Sequence, residues 1–281
     1  YQFINLYENM LLGEVDPFTI YQILFSAILE EKNELITNYL SSSIQTIFWT
    51  FLTDDEQNQL QKKTENQLYT LLEKELPPNI KKTLFDLYQA MAFSEQGTEN
   101  LYAIWKEQKK IKNLFLKENE YTALAMKLVI FRHPKSLEIL KEQESRISNL
   151  DRLARFKWLL PSLSDDAVVR DHFMNSLLQK EHREKEAWVQ TALSNLHHPL
   201  RQKVAVKYLK SILEKLEEVQ LTGDIFFPKG WLASSIGKYS SKEAQAVLHQ
   251  FLEEHPNYNP ILLKKLLQTT DNLTRSQNIK K

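Results

Sequence analysis

The stretch SSKEAQAVLHQFLEEHPNYNP, residues 240–260, decides the fold class. Ala244, Val247, Leu248, Phe251 and Leu252 are three and four residues apart, the spacing that lines side chains along one face of an α-helix. Ser240 and Glu243, ahead of that run, have the pattern of a capping box. The helix is predicted to end before Pro256, because a residue preceding proline is pushed out of helical geometry. Asn259-Pro260 then reads as a cap followed by proline at the first position of a new helix. One helix stops and the next begins across a short turn, with no alternation of period two between them.

The same grammar recurs along the chain. Ile20, Ile23, Leu24, Ala27 and Ile28 form one apolar stripe, Leu68, Leu71, Leu72 and Leu76 a second, and Val189, Ala192, Leu193 and Leu196 a third. Five glycines and nine prolines in 281 residues are too few for the turns of a sheet protein. The fold class is therefore all-α. Breaks fall near Gly97, His133-Pro134, Ser164-Asp165, His198-Pro199, Ser240-Ser241 and Asn259-Pro260. Most are separated by roughly 30 to 40 residues, room for two helices and their turns, although no residue signature repeats. This predicts an irregular α-α superhelix of antiparallel helix pairs, a HEAT/armadillo-like solenoid. It forms a single helical domain over residues 1–281. Residues 1–93 supply N-terminal helices packed on the same stack, residues 97–281 supply the repeat array, and Pro77-Pro78 marks a turn within the first part.

Lys plus Arg equals Asp plus Glu at 36 each, so the chain has no global attraction to nucleic acid, and none is expected as a partner. No apolar run approaches the ~20 residues that span a bilayer. The absence of cysteine excludes disulfides, thiolate metal sites and a cysteine nucleophile, and leaves periplasm and cytoplasm equally open as the compartment. The chain opens at Tyr1 inside a helical pattern, so the native start is expected upstream.

Candidates for chemistry are sparse. His197-His198 precedes Pro199 and reads as loop punctuation. His182 and Glu186 are four apart and are expected to share a helix face, a spacing open to two metal ligands. Their Lys, Arg and Glu neighbours make a solvated face the better reading. No histidine is followed by glutamate, so HExxH is absent, as are Walker and dinucleotide loops. The lysines of KEQKKIKNLFLK, residues 106–117, surround Phe115 and read as a solvated helix end, and the basic tail QNIKK as a frayed terminus. Trp49, Trp105, Trp158, Trp188 and Trp231 lie in apolar-periodic segments and are expected as core anchors. No catalytic, cofactor-binding or metal-ligating residue is assigned.

LTGDIFFPKGWLASSIG, residues 221–237, holds three glycines, which are too dispersed for one phosphate nest. It reads as a structural joint. Gly223 is expected in the left-handed position after a helix, and Phe226 and Phe227 as extended and buried. Pro228 is expected to open a short helix whose apolar face is Trp231, Leu232 and Ile236, with Gly237 ending it.

That joint, the Ser-Lys-Glu-Ala helix after it and FLEEHPNYNPILLKKLLQTTDNLTR together resemble the extreme C-terminus of M1-family zinc aminopeptidases, especially the Bacteroides-like bacterial form. INLYENMLLGEV at 4–15, LDRLARFKWLLPSLSDD at 150–166 and KEAWVQTALSNLHHPLRQ at 185–202 extend the resemblance across most of the chain, while residues 54–120 add little. It implies a non-catalytic C-terminal helical domain that encloses the active site and limits peptide access. The family's HExxH zinc motif and GxMEN loop are both missing, so the resemblance carries over no catalytic residue. Zinc would belong to a thermolysin-like domain absent from this chain. The implied partners are that catalytic domain and peptide substrates. The alternative is an independent HEAT-like protein-interaction module.

Overall fold

The structure is a computed structural model, and it describes residues 1–280. Every regular element among them is helical. The described residues fall into two compact units, 1–148 with 279–280, and Asn149–Asn278. The division lies at Ser148/Asn149, so residues 93–97 are internal to the first unit.

The first unit contains α1 (Gln2–Leu11), α2 (Pro17–Ile28), α3 (Glu34–Thr46), α4 (Asp54–Glu73), α5 (Pro78–Met91), α6 (Glu95–Trp105), α7 (Glu118–Ile130) and α8 (Ser136–Arg146). Helix starts follow from local chemistry. Asp16 accepts from the Thr19 N–H at 2.9 Å with Pro17 in the first turn. Thr53 and Glu56 form a reciprocal capping box, in which the Thr53 N–H donates to Glu56 at 2.7 Å. A π-helical turn, Ile47–Phe51, prolongs α3 and buries Phe48 and Phe51. Phe48 meets Tyr21, whose hydroxyl pairs with Thr64 at 2.8 Å. α2 packs on α3, α3 and α4 on α5, α6 on α7, and α7 on α8.

Gly97 does not mark a break. Ser94 caps α6 and Gly97 lies inside its first turn, where a Cβ would stand 2.8 Å from the Glu65 carboxylate. Glu65 is buried and accepts from the Ser94 N–H at 3.0 Å, placing negative charge at the start of α6.

The second unit contains α9 (Leu150–Leu163), α10 (Ala167–Leu177), α11 (Glu186–Leu196), α12 (Gln202–Ala205), α13 (Leu209–Glu214), α14 (Leu216–Thr222), α15 (Phe227–Ala233), α16 (Lys242–Glu254), α17 (Pro260–Thr269) and α18 (Asp271–Ile279). One row runs α9, α11, α15, α17, while α10 packs beside α9 and α13 meets α16. This is the solenoid-like stacking of helix pairs. The cap of α16 is Ser241, not Ser240, and it accepts from the Ala244 N–H at 3.2 Å. The Ser240 carbonyl instead accepts from the Gln277 amide at 3.0 Å. Asn259 and Pro260 open α17 as the sequence implies.

The repeat is visible in the hydrogen bonds. Lys109 reaches Glu73 and Lys106 reaches Glu142 at a separation of 36 residues, and Trp105 reaches Gln143 at 38. In the second unit the separations are 33 for Asn195–Ser162, 36 for Arg155–Thr191, 38 for Asp224–Glu186 and 42 for His197–Tyr239. Earlier residues are spaced more widely, 43 for Tyr21–Thr64 and 45 for Thr83–Asn38, because α4 runs for 20 residues.

Several of these bonds cap helix C-termini. Arg146 Nη1 donates to the Trp105 carbonyl at the end of α6, 2.9 Å away. Buried Arg201 donates to the carbonyls of Ser162 at 2.9 Å and Leu163 at 2.6 Å, the last two residues of α9. Replacing Arg201 with Met strips those carbonyls of their donors and is expected to cost about 2–4 kcal/mol in urea unfolding. Lys112→Ala, on an exposed side chain, is expected to leave the midpoint in place. Equal midpoints for the two variants would refute this role for Arg201.

Candidate functional site

The joint at 221–237 packs against α11. Glu186, the first residue of α11, accepts from the Asp224 N–H at 2.6 Å, and the Asp224 carboxylate accepts from the Phe226 N–H at 2.9 Å. Gly223 is extended (φ −115°, ψ 179°), not left-handed. Glycine is required there by proximity, since a Cβ would lie 2.5 Å from the Phe227 ring and 2.8 Å from the Glu186 carboxylate. Gly230 likewise leaves room for Gln190, whose amide nitrogen is 2.3 Å from where its Cβ would be. Gly237 falls inside a 3₁₀ turn, Ile236–Lys238.

The two phenylalanines separate. Phe227 is buried and meets Trp231 edge-on at 6.0 Å, while Phe226 is 77% exposed and adopts helical backbone geometry. The Asp224 turn starts the helix one residue before Pro228, and this rotates Phe226 outward. Trp231, Leu232 and Ile236 are buried as expected, and the Trp231 indole donates to the Ile212 carbonyl at 3.1 Å.

The histidines serve the fold. His182 ends a 3₁₀ turn and Glu186 starts α11, so the two do not share a helix face. Arg183 between them is drawn inward to the Leu177 carbonyl at 3.2 Å and Glu218 at 2.6 Å, which breaks the helix. His133 accepts from the Lys135 N–H through Nδ1 at 3.1 Å, so Nε2 carries the proton toward Glu99, also 3.1 Å away. His197 is fully buried, its Nδ1 is 2.7 Å from the Tyr239 hydroxyl and its Nε2 has no partner. Burial pushes its pKa down to about 3. No group of three or more His, Asp or Glu side chains placed to hold a metal occurs among the described residues.

The lysine-rich stretch is a loop between α6 and α7, held by ion pairs to Glu73, Glu75 and Glu142 at 2.6–2.9 Å. Buried Lys81 pins it with a 2.7 Å bond to the Lys112 carbonyl, and Phe115 is exposed. Of the tryptophans, Trp105 and Trp231 are fully buried. Trp49, Trp158 and Trp188 are half-buried and packed on other rings, including each other in the Trp158–Trp188 pair at 5.8 Å.

Two clefts open in the second unit. The first, about 200 Å³, is lined by Asp171, Asn175, Lys207 and Tyr208. Its charges satisfy each other: Asp171 pairs with Lys207 at 2.7 Å and accepts from the Tyr208 hydroxyl. The Lys207 hydrogen bond holds Asp171 below the usual carboxylate range. The second, about 320 Å³, lies between the α13–α14 segment and the end of α16. It is lined by Glu214, Glu217, Phe251, His255 and Tyr258. His255 stacks on Phe251 at 4.4 Å and Tyr258 meets Phe251 edge-on at 5.1 Å. The Tyr258 hydroxyl has no hydrogen-bond partner, and burial raises its pKa. Sequence reasoning missed this cleft because its two sides, Glu214 and Glu217 on one and Phe251 to Tyr258 on the other, are distant in sequence.

The fold thus defines an all-α protein of stacked helix pairs, with no helix long and apolar enough to cross a membrane among the described residues. No protein-family model and no curated protein sequence matches this chain.

Two outcomes follow. Phe227→Ala is expected to destabilise by ~3–5 kcal/mol, and Phe226→Ala by less than ~0.5 kcal/mol, in urea melts. His197, unprotonated when folded, titrates near the ordinary histidine value of about 6.5 when unfolded. The unfolded state therefore binds more protons below that value, and stability falls as pH drops from 6.5 toward 3. His197→Phe removes this dependence. Its stability relative to the parent is expected to improve by about 2 kcal/mol between pH 7 and pH 5, read from paired urea melts.

Proposed function

We propose that this chain is the non-catalytic helical domain of an M1-type zinc aminopeptidase, a wall that encloses the reaction centre and limits which peptides reach it. The observation that carries the reading is the run of sequence likenesses, in the family's order, at residues 4–15, 150–166, 185–202 and from 219 to the C-terminus. The all-α, pair-stacked packing of each unit is compatible with such a wall. A zinc hydrolase needs three protein ligands and an open position for water, and this reading puts them on a preceding domain with HExxH and GxMEN. The chain's contribution is then steric and electrostatic: admitting extended peptides, excluding bulk water and contacting residues beyond the first.

The test is to translate the gene upstream of the Tyr1 codon. An HExxH with a downstream glutamate and a preceding GxMEN loop is expected. A start codon at that point, or unrelated sequence, would overturn the reading in favour of an independent interaction module. The isolated chain is also expected to bind no stoichiometric zinc and to leave aminoacyl-anilides intact. Chelator-sensitive turnover in a preparation free of host peptidases would contradict this.

A further inference from the structure

We propose that the cleft between the α13–α14 segment and the end of α16 binds an organic cation, an alkylammonium or guanidinium group of the size carried by lysine and arginine side chains. Its volume of about 320 Å³ accommodates such a group with its aliphatic stem. Three rings form the apolar part. Phe251 and His255 stack with 30° between their planes, while Tyr258 stands at 80° to Phe251 and 74° to His255. The three rings pack on one another as one cluster, and the π surface this cluster presents to the cleft attracts a cation through its quadrupole.

The charge around the cleft points the same way. Glu217 has no ion-pair partner among the described residues. Lys210 is shared between Glu214 at 3.9 Å and Glu254 at 3.8 Å, outside hydrogen-bond range of both. Lys215 is committed to Glu218 at 2.7 Å. The repeat sharpens the contrast with the neighbouring cleft. There Asp171 finds Lys207 and Tyr208, 36 and 37 residues on. At the same separations from Glu217 stand Glu253 and Glu254, with His255 next. Among the described residues that line this cleft there is no lysine or arginine, and Lys210 stands 3.9 Å from the lining Glu214. An anion would be repelled by Glu214 and Glu217, and a purely apolar occupant would leave the Glu217 charge uncompensated. The inference rests on the cleft alone and does not depend on the aminopeptidase reading.

The test titrates the full 281-residue chain by NMR with N-acetyl-lysine amide, N-acetyl-arginine amide, n-butylammonium and the neutral isostere N-acetyl-norleucine amide. Saturable shifts at Phe251, His255 and Tyr258 are expected for the cations, with a dissociation constant of about 1 mM. Glu217 is exposed, so Glu217→Gln is expected to keep its melting temperature and to weaken the cations about tenfold. Tighter binding of the lysine or arginine amide than of n-butylammonium would assign the site to a peptide's basic side chain. Equal binding would assign it to free organic cations. Norleucine amide binding as well as lysine amide, no effect of Glu217→Gln, or no saturation by about 20 mM would each overturn the proposal.

Discussion

A helix leaves its last carbonyls without donors, and in a stack of short helices those ends lie against neighbours, not water. This chain resolves the problem at a distance. The end of α6 is capped by Arg146 and the end of α9 by Arg201, each from a later helix pair. A helix pair is therefore incomplete until its successor has folded onto it, and cooperativity within a unit follows from polar accounting as much as from apolar burial. Arginine suits this role. Its rigid fork spans two carbonyls at once, and its charge remains when it is buried.

The same constraint explains the repeat without a residue signature. A cap needs a long donor at the right separation, but its exact position shifts with the turns, so the two arginine caps come from 38 to 41 residues on, among side-chain bonds that span 33 to 45. The spacing of the breaks exposed the period, and helical periodicity exposed most buried faces, including Val189, Ala192, Leu193 and Leu196. Turn geometry was less legible. Gly97 and Gly223 look like punctuation, yet each makes room for a carboxylate or ring from a residue distant in sequence. Phe226 and Phe227 are the same residue type side by side, and a single Asx turn at Asp224 decides which one is buried. The His182–Glu186 pair failed as a shared face because buried Arg183 interrupts the helix, a tertiary effect that no local window contains.

The clefts were illegible for a related reason. Each lies between helices about one repeat apart, so its lining residues have no sequence proximity and no local pattern. What does become readable, once the separation is known, is the complementarity across it. Asp171 meets Lys207 across its cleft, whereas Glu217 has Phe251, His255 and Tyr258 on the other side of its own.

The distribution of ionisable groups also separates support from chemistry. A catalytic base is tuned to exchange protons near the working pH and must be reached by substrate. His197 meets neither condition, since it is enclosed and burial holds it unprotonated far below neutrality. Glu65 is spent on the start of α6, and Arg183 on the end of α10 and Glu218. These groups are committed to holding helices in register. Glu217, left without an ion pair among the described residues, borders instead a cleft lined by Phe251, His255 and Tyr258, where its charge is available to a ligand.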